Sequence, residues 1–168
     1  PVIVLASPHW HVGMVGIAAS RIVEAYYRPT ILLSIEDDVA RGSGRSIEAF
    51  HLFEALAECK DLLLRFGGHQ QAAGLSLAVA DLDRFRQRFA EVAARRLSAE
   101  DLQPLTRVDA ELAPAELTET LIEGVEKLAP FGMGNPRPQF ALRGGGLTGA
   151  GAVGGGKHLK LRAKIGDR

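Results

Sequence analysis

Two short stretches carry the residues best suited to chemistry: Gly42-Ser43-Gly44-Arg45-Ser46 and Phe66-Gly67-Gly68-His69-Gln70-Gln71-Ala72-Ala73-Gly74. Each joins glycines, which let backbone N–H groups approach a ligand closely, to one side chain, Arg45 or His69, that can bring positive charge to an anion. That combination makes a phosphate site. Arg45 offers a fork of donors matched to phosphate oxygens, and His69 can donate a hydrogen bond or a proton near a leaving oxygen. Ser43, Gly67 and Gly68 add hydroxyl or backbone donors. His69 follows two glycines that give it no side-chain shelter, so it is expected at the surface as the candidate catalytic group. By residue type alone, Arg45 fits a ligand-binding arginine and a surface residue on an irregular strand equally well.

Phosphodiester hydrolysis usually draws on one or two metal ions held by clustered carboxylates and histidines. The run Glu36-Asp37-Asp38 invites that reading, but adjacent positions on a turn cannot all face one ion, so these are expected to be solvated acids. No other plausible cluster of carboxylates and histidines stands out in the chain. The sequence therefore predicts substrate handling here and no metal ligands.

The elements that must position the two stretches follow from periodicity. Residues 2–6 are a short apolar run, as in a fully buried strand. A helix follows, with Met14, Val15, Ala18, Ile22 and Tyr26 on its apolar stripe and Pro29 as its stop. Gly13 and Gly16 thin its start, which points either to tight helix-on-strand packing or to something bound near the helix N-terminus. Residues 30–35 read as a second buried strand, and residues 39–46 as extended chain in which Gly42 and Gly44 mark close backbone approach or a bulge. His51 heads a short helix with Leu52, Phe53 and Leu56 inward. After His69 the alternation Leu75, Leu77, Val79 predicts a half-buried strand, so the loop is held on a rigid edge. Asp81 is placed to cap a helix whose Leu82, Phe85, Phe89, Val92 and Leu97 line one face. Its arginines alternate with Asp83 and Glu91 and read as a solvated face.

Beyond Pro104 the pattern changes. Val108, Ala110 and Leu112 alternate with charged residues as in a strand with one wet face. Pro114 can open a helix carrying Leu117, Leu121, Val125 and Leu128. Residues 131–138 are too rich in glycine and proline for regular structure and form a connection. Residues 140–142, and Leu159, Leu161, Ala163 and Ile165, read as strands separated by a glycine-rich hairpin region. Lys157, His158, Lys160, Arg162, Lys164 and Arg168 give this end a basic strip, fit either to track a phosphate backbone or to keep an edge strand from aggregating.

Composition sets the bounds. The 168 residues are 46% hydrophobic and 24% charged, an ordinary globular balance. Lysine plus arginine and aspartate plus glutamate each number 20, so no global basic field advertises nucleic acid, and any binding must come from local clustering. Cys59 is the single cysteine, which excludes an internal disulfide and fits a reducing cytoplasm. No apolar run approaches the ~18 residues of a membrane span. The start at Pro1 is expected of a piece cut from a longer protein.

The motif Gly-Gly-His-x-x-Ala-Ala-Gly at positions 67–74 resembles the signature of the DHHA1 domain, the second domain of the DHH phosphoesterase superfamily. Three further motifs narrow this: Trp10-His11-x-Gly13-x-x-Gly16-Ile17-Ala18-Ala19-Ser20-Arg21, then Gly42 to Ser46, then Leu128-Ala129-Pro130-Phe131-Gly132-x-Gly134-Asn135-Pro136. In that order they resemble the C-terminal half of the RecJ family of single-stranded-DNA exonucleases, over residues 2–142, and the tail is similar to the start of that family's OB-type domain. The resemblance implies an α/β fold: a small DHHA1-type sheet with flanking helices over residues 1–103, a strand, helix and connector over 104–138, and an incomplete OB-like β segment over 139–168. It implies the substrate-binding part of a 5′-to-3′ exonuclease of DNA repair and recombination, with single-stranded DNA, and a single-strand-binding protein, as partners. It adds His11 to the substrate-binding residues, favours ligand binding for Arg45, and offers Arg21 as a structural ion-pair partner. Manganese or magnesium, by the same resemblance, is held by a preceding domain outside this chain. Two other readings stay open: a non-catalytic nucleic-acid-binding or dimerisation module, and a phosphodiesterase of short oligonucleotides or cyclic dinucleotides.

Overall fold

A computed structural model of the chain describes residues 1–143 and 146–164. It divides into two compact units, Pro1–Pro104 and Leu105–Arg168. The mixed α/β character expected from the sequence is present in both.

The first unit is built on a five-stranded sheet in the order β1-β2-β3-β5-β4. Strand β1 (Ile3–Ser7) runs parallel to β2 (Thr30–Glu36), joined through helix α1 (Val12–Tyr26), because parallel neighbours need a crossover. A tight turn at Asp37, φ 52°, then returns the chain as β3 (Val39–Arg45). Strand β4 (Arg65–Gly68) is the edge, and β5 (Ala72–Ala78) lies between it and β3; all these pairings are antiparallel. Seven consecutive pairs join β3 to each neighbour without a bulge, so Gly42 and Gly44 mark close approach. A methyl group at Gly42 would overlap the Leu32 carbonyl, and one at Gly44 would press on Leu52 and Ile31.

One face of the sheet carries the main core. Ile31, Leu33, Ala40, Leu75 and Leu77 pack beneath helices α2 (Leu52–Ala57) and α3 (Leu82–Arg96), where Phe50, Phe85 and Phe89 are fully buried. Each such side chain contributes about 1.5–3 kcal/mol by leaving water. The other face is covered only in part, by α1, whose Val15 and Ala19 meet Leu32. Strand β2 is thus buried on both sides, which explains its unbroken apolar run.

Helix α1 is rotated relative to the stripe expected from its sequence. Val15 and Ala19 are buried and Ile22 packs beside them, whereas Met14 and Tyr26 are 59% and 66% exposed. Small residues face the sheet because helix and strands come close there. The helix ends at Tyr26, ahead of Pro29, with Tyr27 in the left-handed conformation at φ 48°. In α2, Phe53 is 37% exposed and rests against Phe66, at 5.6 Å between ring centroids, while Ala55 takes its place in the core.

The second unit holds a short parallel pair, β6 (Ala110–Leu112) with β7 (Phe140–Leu142), and an antiparallel pair, β8 (Gly146–Val153) with β9 (His158–Lys164). Between β6 and β7 the expected single helix is broken. A 3₁₀ turn at Pro114–Glu116 is followed by α4 (Glu119–Glu126), because the Thr118 hydroxyl accepts from the Leu121 N–H and starts a new helix. The connector closes as a turn between Gly132 and Asn135, whose side-chain amide donates to the Leu128 and Pro130 carbonyls. The glycine-rich region expected as a hairpin holds strand β8 and the turn through Gly154, Gly155 and Gly156 that leads into β9, since pairing with β9 satisfies its backbone whatever its side chains. Ile165 and Arg168 lie outside the described residues.

Candidate phosphate-binding face

The candidate residues are placed by strand register. Arg45, the last residue of β3, pairs with Ala72 of β5. On the far side of Ala72, its carbonyl accepts from the His69 N–H at 2.8 Å. Arg45 and His69, separated by 24 positions in sequence, therefore flank the same residue in adjacent strands. His69 is exposed and Arg45 half-buried.

Two residues away from Arg45, Ala72 and His69, in the same direction across the sheet, lies a row of small residues. Ser43 pairs with Gly74, and Gly74 with Gly67. A methyl group at Gly67 would meet nothing within 4 Å, and one at Gly74 only the Gly42 carbonyl at 3.8 Å. Gly67 and Gly74 form a bare floor, open above, while Ser43 lies beside Gly16 of α1. Gly68 differs: its φ is 141°, and a methyl group there would stand 2.3 Å from the Ala72 carbonyl. It is glycine for the turn that presents His69.

Arg45 is held in place from two sides. Its Nη1 donates to the Gly44 carbonyl at 2.8 Å, and its Nη2 lies where a methyl group on Gly16 would be 3.2 Å away. Gly16 thus makes room in α1 for the Arg45 side chain. Gly13, the other glycine of that turn, gives its N–H to His11 Nδ1 at 3.1 Å. His11 is the helix cap and stands at the other end of the strands, beyond Ser7 of β1. The structure therefore brings together Arg45, Ser43, Gly67, Gly68 and His69 and leaves His11 apart.

An open groove of about 670 Å³ lies beside this constellation and shares Gly67 with it. Val12 and Val39 form one wall, and Arg41 and Arg65 line it; no carboxylate does. Arg41 and Arg65 did not stand out in the sequence. The available signal was position: each lies four residues before Arg45 or His69, a spacing that strand alternation places on one face.

Charge is segregated on this unit. Arg84, Arg86, Arg88, Arg95 and Arg96 of α3 all pair with carboxylates, at 2.6–3.4 Å. These pairs account for the solvated arginine face, and they absorb Asp81 and Asp83. Arg21 pairs with Glu24 at 3.0 Å, a structural role. Arg41, Arg45 and Arg65 form no ion pair with any described residue. Among the described residues, no group of three or more histidine, cysteine or acidic side chains could hold a metal. Cys59 lies under α3, and burial pushes its thiol up to about 11, so it stays protonated and unreactive at neutral pH.

Residues 1–95 match the family model of the DHHA1 domain, more than half of the chain. The chain belongs to the DHHA1 domain family. After this DHHA1 domain, residues 108–168 match the RecJ OB domain. The chain is 41% identical over 162 residues to the single-stranded-DNA-specific exonuclease RecJ of Bacillus subtilis, covering 95% of this chain and 21% of that protein. It is 44% identical over 138 residues to the exonuclease of the same name from Dickeya dadantii, covering 79% of this chain and 24% of that protein. The DHHA1 chain thus spans about a fifth to a quarter of the length of the curated relatives it matches. Its structure is similar to the crystal structure of RecJ in complex with Mn²⁺ from Thermus thermophilus, with a TM-score of 0.79 and 36% identity over 96% of this chain and 24% of that one. A Mg²⁺ complex from the same organism gives 0.73 and 32%, over 99% of this chain and 27% of that one.

Proposed function

We propose that this DHHA1 chain is the substrate-binding portion of a single-stranded-DNA-specific exonuclease that hydrolyses phosphodiesters from 5′ to 3′ in DNA repair and recombination. The observation that carries this reading is the sheet face on which Arg45 and His69 flank Ala72 beside the row of Ser43, Gly74 and Gly67. A backbone phosphate fits such a face. Arg45, its fork already fixed by the Gly44 carbonyl, grips the phosphate without first losing rotamer freedom. Gly67 admits the sugar-phosphate chain close to the strand, and His69 supplies a hydrogen bond or a proton to the leaving oxygen.

Metal ions, Mn²⁺ or Mg²⁺, supply charge neutralisation on the phosphoryl oxygens in this chemistry. The residues of the face do not fit such ions, since arginines line it and carboxylates do not. Their ligands therefore belong to other parts of the longer protein. The relatives named as RecJ support single-stranded DNA as the substrate, and residues 108–168 match an OB domain, a fold that binds oligonucleotides. A single-strand-binding protein is a fitting partner for an enzyme of this substrate, and the cytoplasm its fitting location. No described helix is long and apolar enough to cross a membrane.

The test is Arg45→Ala in the full-length protein that carries this chain. One charge-assisted contact to a phosphate contributes about 1.5–3 kcal/mol, so turnover on 5′-phosphorylated single strands should fall roughly 10- to 100-fold. The melting temperature should hold, because Arg45 bonds only its own neighbour's carbonyl. Unchanged turnover would exclude the role.

A further inference from the structure

We propose that Arg41 and Arg65, one on either side of Ser76, form a second phosphate-binding row on this sheet face. It takes a phosphate further along the strand whose nearer phosphate meets Arg45 and His69. The inference rests on the function proposed above and assigns residues that reading leaves unused.

Register carries the argument. Arg41 pairs with Ser76, and Ser76 with Arg65. This repeats, four residues earlier in β3 and before His69 and four residues later in the antiparallel β5, the arrangement in which Arg45 and His69 flank Ala72. Four residues of strand span roughly 13 Å, and two strand spacings put Arg41 and Arg65 roughly 10 Å apart across the face. Two guanidinium forks can meet one phosphate over that gap, with the Ser76 hydroxyl below. The same phosphate cannot also serve Arg45, which is tied back to Gly44 and lies against Gly16 of α1, while Arg65 is on the outermost strand.

Electrostatics favour an anion there. Arg41 and Arg65 are exposed and line the open groove, and neither forms an ion pair with a described residue. The acidic turn Glu36-Asp37-Asp38 lies beyond Val39 and contributes nothing to the lining. Protection of a sheet edge would account for Arg65 on β4 but not for Arg41, which is on an inner strand. Between the rows, Gly67 and Gly74 leave the backbone of a ligand an unobstructed path.

The experiment is amide-resolved NMR titration of this chain with 5′-phosphorylated oligothymidylates of two and six nucleotides. The dinucleotide should move Arg45, Gly67, Gly68 and His69, and the hexanucleotide should move Arg41, Arg65 and Ser76 in addition. The double variant Arg41→Gln, Arg65→Gln, both exposed, should lose roughly tenfold in hexanucleotide affinity and less than about twofold for the dinucleotide. The slope of log affinity against log salt should fall by about 0.7, one phosphate contact to a single strand. Equal losses for both probes would mean one shared phosphate and overturn the second row. So would a hexanucleotide that moves only the residues the dinucleotide moves. If neither probe moves any residue of this face, the function proposed above fails along with the second row.

Discussion

At Gly68 an added methyl group would stand 2.3 Å from a backbone oxygen, and at its neighbour Gly67 it would meet nothing within 4 Å. The two glycines differ in kind: Gly68 is required by the turn, and Gly67 leaves open space that the proposed function gives to the ligand. Gly68→Ala, forced to a φ of 141°, should cost more than about 1 kcal/mol in urea denaturation. Gly67→Ala should leave stability within about 0.5 kcal/mol and yet weaken binding of an oligothymidylate, since its new methyl group projects into the space the ligand needs. Sequence placed both in one phosphate loop because residue types tell that a backbone must be approached, not by what. His11, which the family resemblance adds to the substrate-binding residues, uses its Nδ1 to cap α1, a contact no residue type announces. The same limit applies to Gly16, where the close neighbour is the Arg45 side chain, which no local pattern could name.

Strong periodicity survived at the level of elements. Strand β2 and helix α3 lie where a buried apolar run and a one-faced helical stripe put them, because each buries apolar surface against a partner. Helix α1 was legible as a helix and misread in rotation. Its buried face is made of small residues that hydrophobicity ranks below Met14 and Tyr26, and these two stay largely exposed. Helix α3 is also tied to α2 by charge. A hydrogen bond from Arg96, with help from Arg95, holds the Glu58 carboxyl below the usual carboxylate range. A carboxyl whose folded pKa is depressed adds stability above its unfolded pKa, and this is lost as pH falls through the folded one. Unfolding monitored by circular dichroism should therefore show stability dropping as pH goes below about 4.5, and Glu58→Gln should flatten that drop. A variant with the wild-type acid profile would show that the pair does not couple to folding.

Over the whole molecule, a formal net charge of zero conceals a strong separation. Arginines on α3 are neutralised pairwise, and those on the open sheet face are not, so composition alone gave no sign of the cationic face. The sequence pattern changes after Pro104, where the first compact unit ends, while the connector over 104–138 and the β segment over 139–168 fall in one unit. The break at Thr118 and the strand β8 were not legible in that pattern, because a side-chain cap and a glycine-rich pairing are decided by contacts rather than by periodicity. Incubated with labelled single-stranded DNA and either Mn²⁺ or Mg²⁺, the 168-residue chain should release no nucleotides, since its described residues contain no cluster of metal ligands. Metal-dependent degradation by a pure sample would overturn the proposed division of labour. The row of Ser43, Gly74 and Gly67 has one more consequence. It offers a single hydroxyl and otherwise plain backbone, with no side chain to read the edge of a base, so it cannot prefer one nucleotide to another. A strand lying there can advance by one unit without giving up any base-specific contact. On the proposed function, moving the strand along this row costs only the exchange of one phosphate for the next, so the row itself would not make the pace depend on sequence.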